Sequence, residues 1–376
     1  KNFGGLETQN KELCEGLVGR DHEIIVFSPM RELEVSHMED KGVKYVFLDC
    51  VYRILPFSFS KPLWVDKSYQ EFKKMHSQKP FDLVISQSSA GRGIINHKEE
   101  SKIKVVSICH GSTLSELRTK ILSSASFRDY LLLSKDLVYV LVNYFTIQRK
   151  FILHSDKIIA VSNMVKKTIV DETFVSEGKV VVIYNGIDGS EFPSDRGNRL
   201  NGKIKIIYVG RVIKSKGLFV LIRAMEGMEH KDFVLKLVGD GDDLEKLKAY
   251  VAKKDLGECV KLIGRIPYQD VRKELLDSDI FILPSLRVEG FPMTLVEAMF
   301  AGLPIIASQI GGISDAVDDE STGLLIKPND AKDLKEKLER LLKNKEQRLF
   351  FGRNARLKAE KEFSINTMLD KYEEVF

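Results

Sequence analysis

Short hydrophobic runs alternate with longer amphipathic stretches along nearly the whole chain. In the first half, runs rich in Val and Ile are flanked by polar turns, which is typical of strands buried in a parallel sheet. These predicted strands are 22–28, 43–49, 81–87, 103–110 and 157–162, and the sequence KVVVIYNGID (179–188) follows them. The polar stretch 189–203 contains glycine and proline and has the composition of an interdomain linker.

The same pattern begins again after the linker. The predicted strands of the second half are 205–210, 233–239, 259–264, 279–285, 303–308 and 322–328. Amphipathic helices such as 242–254 and 330–344 lie between them. Alternating strands and helices imply parallel sheets covered by helices on both faces. We therefore predict an α/β chain with two Rossmann-like, doubly wound domains that face each other across a cleft, with ligands beyond the carboxyl ends of the strands.

The segment "KNFGGLETQNKEL" at the start has a glycine turn followed at once by a predicted helix. An α/β domain normally places a strand before such a turn, so we expect a first strand ahead of it. The predicted organisation is an N-terminal domain over 1–188, the linker at 189–203 and a C-terminal domain over 204–355. A C-terminal helix at 356–376 is expected to return to the N-terminal domain.

Composition narrows the class of protein. The 376 residues are too many for one ordinary core, and 43% hydrophobic with 30% charged residues is typical of a globular protein. A net charge of +4 argues against a dedicated nucleic-acid binder. The cysteines Cys14, Cys50, Cys109 and Cys259 form no C-x-x-C pair, which favours reduced, buried thiols and a cytoplasmic chain. No stretch is long and apolar enough to suggest a membrane span.

Candidate chemistry lies at two predicted strand ends in the second half. Arg211 and Lys216 follow the strand 205–210 in a loop that ends at Gly217. The other strand end leads into a helix whose first N–H groups, near Met293 and Thr294, have no intrahelical acceptor. Basic side chains beside a helix N-terminus are suited to a diphosphate.

Two acids flank Gly-Phe-Pro at the start of that helix. Glu297 is expected one turn inside it, where a carboxylate can accept two hydroxyls of a ribose. Glu289 comes before the glycine turn, on the side of the group that a nucleoside diphosphate would carry. The alternative is that Pro292 and the two acids only start a helix.

Missing motifs are also informative. The chain contains no G-x-x-x-x-G-K-[ST] and no G-x-G-x-x-G after a strand, so neither a P-loop nor an ordinary nicotinamide site is predicted. The acidic sequence GDGDD (239–243) is more typical of a turn and helix N-cap than of a metal site. Because Arg211 and Lys216 can neutralise a diphosphate, no metal or other cofactor is expected.

Several of these sequences together resemble a known family, the retaining glycosyltransferases of family 4, which have the GT-B fold. Its E-x7-E element is matched by Glu289 through Glu297, and its G-R-x4-K-G element by GRVIKSKG (210–217). YNGID (184–188), GGISDAV (311–317) and FGGLE (3–7) follow the family pattern in order. The resemblance covers nearly the whole chain and is strongest from about 180 to 330. Two departures are GFP, where many members have GFG, and the absence of a first strand.

The resemblance implies a role for each candidate residue. Arg211 and Lys216 would hold the diphosphate, Glu297 the ribose, and Glu289 the hydroxyls of the donor sugar. Backbone groups of Gly290, Phe291 and Met293 would assist Glu289, the Gly4–Gly5 turn would close over the phosphates, and His110 would lie beside sugar and acceptor. Members retain the anomeric configuration, usually without a metal. The residues alone leave open that Gly4 and Gly5 are only a turn and that His110 is structural. Asn185 and Asp188 are expected in hinge or turn roles.

The acceptor side is predicted in the first half. The stretches 52–64 and 117–154 interleave aromatic and basic residues, which fits either core-facing helices or a surface for a lipid-linked or membrane-bound glycan. We expect a nucleotide-sugar donor, a glycan or lipid-linked acceptor, peripheral contact with the inner face of the membrane, and no nucleic-acid partner.

Other classes of function stay open. A sugar-nucleotide epimerase or a phosphorylase can use the same fold. A non-catalytic nucleotide-sugar binding subunit should have lost one of Glu289, Arg211 or Lys216, and none is lost. An oxidoreductase is disfavoured because the nicotinamide sequence is missing.

Overall fold

A computed structural model describes residues 4–30, 35–51, 62–112, 114, 117, 137, 140–193, 202–228 and 232–376. Most of the predicted acceptor stretches 52–64 and 117–154 lies outside these residues. So do Phe3 of the glycine turn and 194–201 of the predicted linker.

The strands of the first half form two sheets. They are β1 (Ile25–Pro29), β2 (His37–Asp40), β3 (Val43–Leu48), β4 (Leu83–Gln87), β5 (Lys104–Cys109), β6 (Lys157–Ala160) and β7 (Val180–Val182). One sheet has the parallel order β4-β5-β6-β7, and in the other β1 is parallel and β2 antiparallel to β3. Strand β2 departs from the expected parallel pattern. Its sequence HMED is polar and exposed, so hydrophobicity gave no sign of it.

The second half contains one parallel sheet of six strands. These are β8 (Ile204–Val209), β9 (Phe233–Val238), β10 (Val260–Gly264), β11 (Ile280–Leu283), β12 (Ile305–Ser308) and β13 (Gly323–Ile326). Their order is β10-β9-β8-β11-β12-β13. The chain therefore reverses its direction of growth between β8 and β11, which is the switch point where ligands bind in doubly wound sheets. Both candidate loops of the site begin at this point.

Helices cover the sheets, and a hydrophobic core of buried residues continues through both halves. The helices are α1 (Gly5–Val18), α2 (Trp64–Gln78), α3 (Arg92–Asn96), α4 (Lys98–Ser101), α5 (Arg149–His154), α6 (Asn163–Thr173), α7 (Leu218–Glu226), α8 (Leu244–Lys253), α9 (Tyr268–Leu276), α10 (Met293–Phe300), α11 (Ile313–Ala316), α12 (Ala331–Lys343), α13 (Lys345–Glu362) and α14 (Ile365–Glu373). Polar caps start several of them. Asp330, for example, accepts the N–H groups of Lys332 and Asp333 at 3.0 Å each.

The last helix packs against the first. The backbone around Ile187 exchanges hydrogen bonds with the chain before α14: its N–H donates to Phe363 (3.1 Å) and its carbonyl accepts from Ile365 (2.8 Å). Arg20 Nη1 lies 2.6 Å from Glu373 Oε2. A Cβ on Gly16 would lie 2.7 Å from Leu369 Cδ1, so α1 and α14 are in close contact.

A cavity of about 240 Å³ lies between β1 and β4. Leu13 and Leu17 of α1 line it on one side, and Trp64 and Phe72 of α2 on the other. Within the described sheets, β1 pairs only with β3 and β4 pairs only with β5, so two strand edges face this cavity without a partner. The expected first strand stays a prediction.

Two predictions from composition can be compared with the described residues. All four cysteines are buried, as predicted. In the part of the chain that the structure describes, no helix is both long and apolar enough to cross a bilayer.

Candidate active site

The basic loop after β8 is held in a fixed shape by its backbone. It contains a 3-10 turn, Lys214–Lys216, and ends at Gly217 with a φ of 73°. A Cβ on Gly217 would lie 1.8 Å from the carbonyl oxygen of Pro284, so only glycine fits beside the end of β11. The Tyr208 hydroxyl donates to the Arg211 carbonyl at 2.7 Å. The Arg211 side chain is exposed, and no ion pair to it is found among the described residues.

Hydrogen bonds connect this loop to its two neighbours. The Ser215 carbonyl accepts the N–H groups of Leu286 (2.8 Å) and Arg287 (3.1 Å), which joins the basic loop to the loop after β11. Asp243 accepts the N–H of Lys214 at 2.8 Å. Asp243 and Asp240 belong to GDGDD, and Asp240 accepts the N–H of Gly241 at 2.7 Å. The sequence thus forms a turn that supports the basic loop, while the expectation that no metal is used stays a prediction.

Glu289 is buried beside Lys216. Its Oε1 accepts the Lys216 ammonium at 2.8 Å and the Ser285 hydroxyl at 2.6 Å. Burial alone would raise the pKa of this carboxyl, but the charges of Lys216 and Arg287 outweigh it and hold the pKa below its usual value. Glu289 is therefore an ionised acceptor at neutral pH. Ser285 had no role in the sequence prediction, and the only available signal was a serine at a buried strand end.

Glycines bring the Glu289 loop against the first half of the chain. A Cβ on Gly290 would lie 2.1 Å from the carbonyl oxygen of His110. A Cβ on Gly312 would lie 1.8 Å from the Gly290 carbonyl oxygen, and the Gly312 N–H donates to the Glu289 carbonyl at 2.8 Å. The sequence GGISDAV thus packs against the Glu289 loop and supports it. The two halves of the chain meet at Gly290 and His110.

The Phe291 side chain is buried among aromatic rings. Its ring stacks on Tyr184 at a centroid distance of 4.9 Å and packs edge-on against Phe363 at 5.1 Å. Its carbonyl accepts the side-chain amide of Asn185 at 3.1 Å. Asn185 therefore joins the YNGID sequence to the site loop. The hinge or turn role expected for Asn185 stays a prediction, and the contact leaves the Phe291 carbonyl already occupied.

The N-terminus of α10 has no side-chain cap. Pro292 precedes it, and no hydrogen bond from the N–H groups of Met293 or Thr294 is found among the described residues. The Gly4–Gly5 turn lies beside this helix start, because a Cβ on Gly5 would be 3.7 Å from Met293 Cγ. The Gly4 N–H is already bonded to Glu7 Oε2 at 3.1 Å, a contact at the start of α1. The N–H groups at the start of α10 are therefore free donors at this point, and the Gly4 N–H is not.

Glu297 lies inside α10 and is 3% exposed. Its Oε1 accepts the Tyr268 hydroxyl at 2.9 Å, while Oε2 is buried and has no hydrogen bond among the described residues. Burial raises the pKa of Glu297 to about 7. A buried oxygen without a donor is suited to a ligand hydroxyl. Tyr268 was not identified from sequence, since it belongs to a separate helix start.

His110 follows β5 and faces Gln87 at the end of the neighbouring strand β4. The distance from His110 Nε2 to Gln87 Oε1 is 2.7 Å. Burial lowers the pKa of His110 to about 4, so the ring is neutral at physiological pH and its Nε2–H donates to Gln87. Gln87 in turn donates to Asn10 Oδ1 at 2.9 Å. Gln87 and Asn10 therefore orient the histidine, and neither carries a sequence signal of its own.

The acceptor side is described only in part. Trp64 is buried, and its indole N–H donates to the Ala90 carbonyl at 2.7 Å, so this aromatic residue belongs to the core and not to a binding surface. In 117–154, Tyr144, Phe151 and Ile152 are buried as well. A second set of apolar residues is exposed in the same stretch: Leu137, Leu141, Val142 and Phe145.

Taken together, the second-half residues form one site at the switch point between β8 and β11. Two cations, Arg211 and Lys216, and an uncapped helix N-terminus can bind a diphosphate. Two buried carboxylates, Glu289 and Glu297, can accept hydroxyl groups on either side of it. His110 reaches the same region from the first half through its contact with Gly290.

Comparisons with known proteins identify the family. The family described as Glycosyltransferase Family 4 matches residues 3–191, and the family Glycosyl transferases group 1 matches residues 191–358. The glycosyltransferase MJ1178 of Methanocaldococcus jannaschii is 30% identical over 364 residues, which are 96% of this chain and 90% of that protein. The amylovoran biosynthesis glycosyltransferase AmsK of Erwinia amylovora is 34% identical over 193 residues, covering 50% of this chain and 47% of its own.

A solved structure has the same fold. Anabaena HepE in complex with UDP superposes with a TM-score of 0.72 and 19% identity, covering 99% of this chain and 96% of that one. The two Rossmann-like domains predicted from the alternating pattern are thereby confirmed as a GT-B arrangement. The chain belongs to the group 1 glycosyltransferases of family 4.

Proposed function

We propose that this glycosyltransferase is retaining and moves a hexose-type sugar from a UDP- or GDP-linked donor to a glycan or lipid-linked acceptor. The observation that carries the proposal is the buried Lys216–Glu289 pair beside the uncapped start of α10. The Lys216 ammonium, the free N–H groups of α10 and the ionised Glu289 carboxylate thus belong to one site. A nucleoside diphosphate bearing a polyhydroxylated group satisfies all of them.

The bond changes follow from this arrangement. The acceptor hydroxyl forms a bond to the anomeric carbon while the bond from that carbon to the diphosphate oxygen breaks. The electron pair stays on the diphosphate, where Arg211, Lys216 and the N–H groups of Met293 and Thr294 stabilise it. The proton of the attacking hydroxyl passes to the departing phosphate oxygen. Attack on the face of the leaving group retains the configuration, and the cations make a metal unnecessary.

The remaining site residues bind and orient the donor. Glu289 accepts sugar hydroxyls in this proposal, because its carboxylate is ionised and comes before the glycine turn at the start of α10. Glu297 accepts ribose hydroxyls through the buried Oε2 that has no donor among the described residues. His110 is neutral and can hydrogen-bond sugar or acceptor without adding positive charge. The Gly4–Gly5 turn contributes by its close approach to α10.

The class of product rests on the relatives. AmsK is named for amylovoran biosynthesis, and a colanic acid biosynthesis glycosyltransferase of Escherichia coli is 30% identical over 167 residues. HepE has been solved with UDP. These names support a role for this chain in making a cell-surface polysaccharide or glycolipid, with uridine favoured as the base.

Exposed apolar side chains support a peripheral membrane contact. Leu137, Leu141 and Phe145 follow one another at four-residue spacing and are 43%, 40% and 63% exposed. An exposed stripe of this kind can enter the headgroup region of a bilayer. Phe145→Glu should then reduce co-sedimentation with anionic vesicles. Leu357→Glu, a change at a 64% exposed residue on α13, is the matched control. If Phe145→Glu and Leu357→Glu co-sedimented with the vesicles to the same extent, the proposed membrane contact would be wrong.

Thermal-shift measurements with a panel of nucleotides test the proposal. UDP or GDP and the corresponding nucleotide sugars should raise the melting temperature by several degrees at concentrations far above Kd, whereas NAD should not. Transfer to a glycan acceptor, with NMR of the new anomeric proton, then decides the stereochemistry. Donor binding without transfer to any acceptor would favour a binding subunit. Release of a sugar phosphate would favour a phosphorylase, and an isomerised donor an epimerase.

A further inference from the structure

The backbone of Arg287 is held at the switch point. Its N–H donates to the Ser215 carbonyl at 3.1 Å, and its carbonyl lies 3.4 Å from the Ser285 hydroxyl oxygen, whose proton is donated to Glu289 Oε1 at 2.6 Å. Arg287 is thus joined to both loops of the candidate site, two residues before Glu289. Because these contacts use only the backbone, the guanidinium is not needed to hold the loop.

The Arg287 guanidinium carries an unsatisfied donor. Its Nε is buried and has no hydrogen-bond acceptor among the described residues. The nearest carboxylate atom, Glu289 Oε1, is 3.9 Å away, which is beyond hydrogen-bond distance. The side chain as a whole is 28% exposed, so the rest of the group is accessible from solvent. A buried donor without an acceptor is costly, and a ligand oxygen would remove that cost.

The charges around Glu289 do not balance. One carboxylate faces two cations, and its Oε1 already accepts Lys216 at 2.8 Å and Ser285 at 2.6 Å. The ammonium of Lys216 is therefore hydrogen-bonded to Glu289, whereas Arg287 faces the same carboxylate only at 3.9 Å and shares it with Lys216. A partly buried guanidinium of this kind favours a planar, negatively charged partner.

We infer that Arg287 is a further binding residue of the donor site and takes an anionic oxygen of the donor. That oxygen belongs to the diphosphate, which every donor carries, or to the carboxylate of a uronic-acid sugar. The inference rests on the proposed function, since it assigns the ligand to the same site. Arg287 was not among the residues identified from the sequence, where it reads as an ordinary loop arginine.

Calorimetric titration with three probes tests the inference: UDP, UDP-glucose and UDP-glucuronate. Arg287→Gln should weaken binding about ten-fold, and Arg287→Lys, which keeps the charge, should weaken it less. An equal loss for all three probes assigns Arg287 to the diphosphate. A loss confined to UDP-glucuronate assigns it to a sugar carboxylate. Arg353→Gln, at an exposed residue on α13, removes the same charge away from the site and should change nothing.

Different results would contradict the role of Arg287 and the proposed function of the chain. Wild-type affinity of Arg287→Gln for all three probes would overturn the role of Arg287 while leaving the proposed function intact. An equal loss of affinity in Arg353→Gln would show that the effect comes from the overall charge of the protein. That result would also overturn the role of Arg287. If the wild-type chain bound neither these probes nor GDP and GDP-mannose, both proposals would be wrong. Melting temperatures of the variants close to wild type are expected, because the loop is held by its backbone.

Discussion

At the residue scale, the two glutamates around the start of α10 are both buried but differ in their electrostatic surroundings. Glu289 is next to Lys216 and Arg287, which hold its pKa low. Glu297 has a tyrosine hydroxyl as its hydrogen-bond partner, and burial raises its pKa to about 7. A device that only starts a helix would not need both acids buried. The contrast therefore favours separate roles in binding.

Lys216→Ala should reduce kcat about 100-fold or more, since loss of one preorganised contact to the leaving group costs about 3 kcal/mol in the transition state. The variant should also lose up to about 3 kcal/mol of unfolding free energy, because Glu289 stays buried without its closest cation. Steady-state kinetics below the melting temperature separate the two effects. Lys214→Ala, an exposed lysine of the same loop, is the control. Turnover of Lys216→Ala at the wild-type rate would contradict the diphosphate assignment.

Glu297 should make stability depend on pH. Its pKa is raised from an ordinary value of 4.5 to about 7, so the folded chain binds the proton more tightly than the unfolded chain does. Stability should therefore fall as pH rises from 4.5 to 7, by about 3 kcal/mol in total. Glu297→Gln should lack this component, which denaturant titrations at pH 5 and pH 8 would reveal. Glu346→Gln, at an exposed acid, should follow wild type. If the stability of wild type and of Glu297→Gln depended on pH in the same way, the prediction for Glu297 would be wrong.

At the element scale, the site depends on loops that follow neighbouring strands of one sheet. The hydrophobic pattern predicted these strands, so it also predicted that Arg211 and Glu289 would lie in loops at the strand ends. It did not predict Ser285, Tyr268 or Gln87, because their importance comes only from contacts between elements distant in sequence. Strand β2 was missed for the opposite reason, since it is polar and pairs at an exposed edge.

The contact between α1 and α14 should contribute strongly to stability. Leu369 is 2% exposed and lies against Gly16 of α1. Leu369→Ala should cost about 2–5 kcal/mol, because it removes buried methyl groups and leaves a cavity. Leu357→Ala, at a 64% exposed leucine on α13, should cost little. Thermal or urea unfolding of the two variants would compare them, and equal stabilities would mean that α14 is only loosely attached.

At the scale of the whole molecule, most residues of the candidate donor site belong to the second half of the chain, and two elements of the first half lie against them. The loops after β8 and β11 supply the charges, while His110 and the Gly4–Gly5 turn reach them from the first half. The repeated strand–helix pattern was enough to predict two such domains. It could not predict how they meet, because contacts such as Gly290 with His110 depend on backbone approach without a side-chain signature.

The central claim is that Glu297 binds the nucleoside and Glu289 the sugar of one donor. Calorimetric titration of Glu289→Gln and Glu297→Gln, each with the nucleoside diphosphate and with the nucleotide sugar, tests it most directly. Glu297→Gln should weaken both ligands about ten-fold or more, because a carboxylate-to-hydroxyl bond contributes about 1.5–3 kcal/mol. Glu289→Gln should weaken only the nucleotide sugar and leave the affinity for the diphosphate almost unchanged. Equal losses for both ligands in both variants would contradict this division and leave the two acids as supports for a helix start.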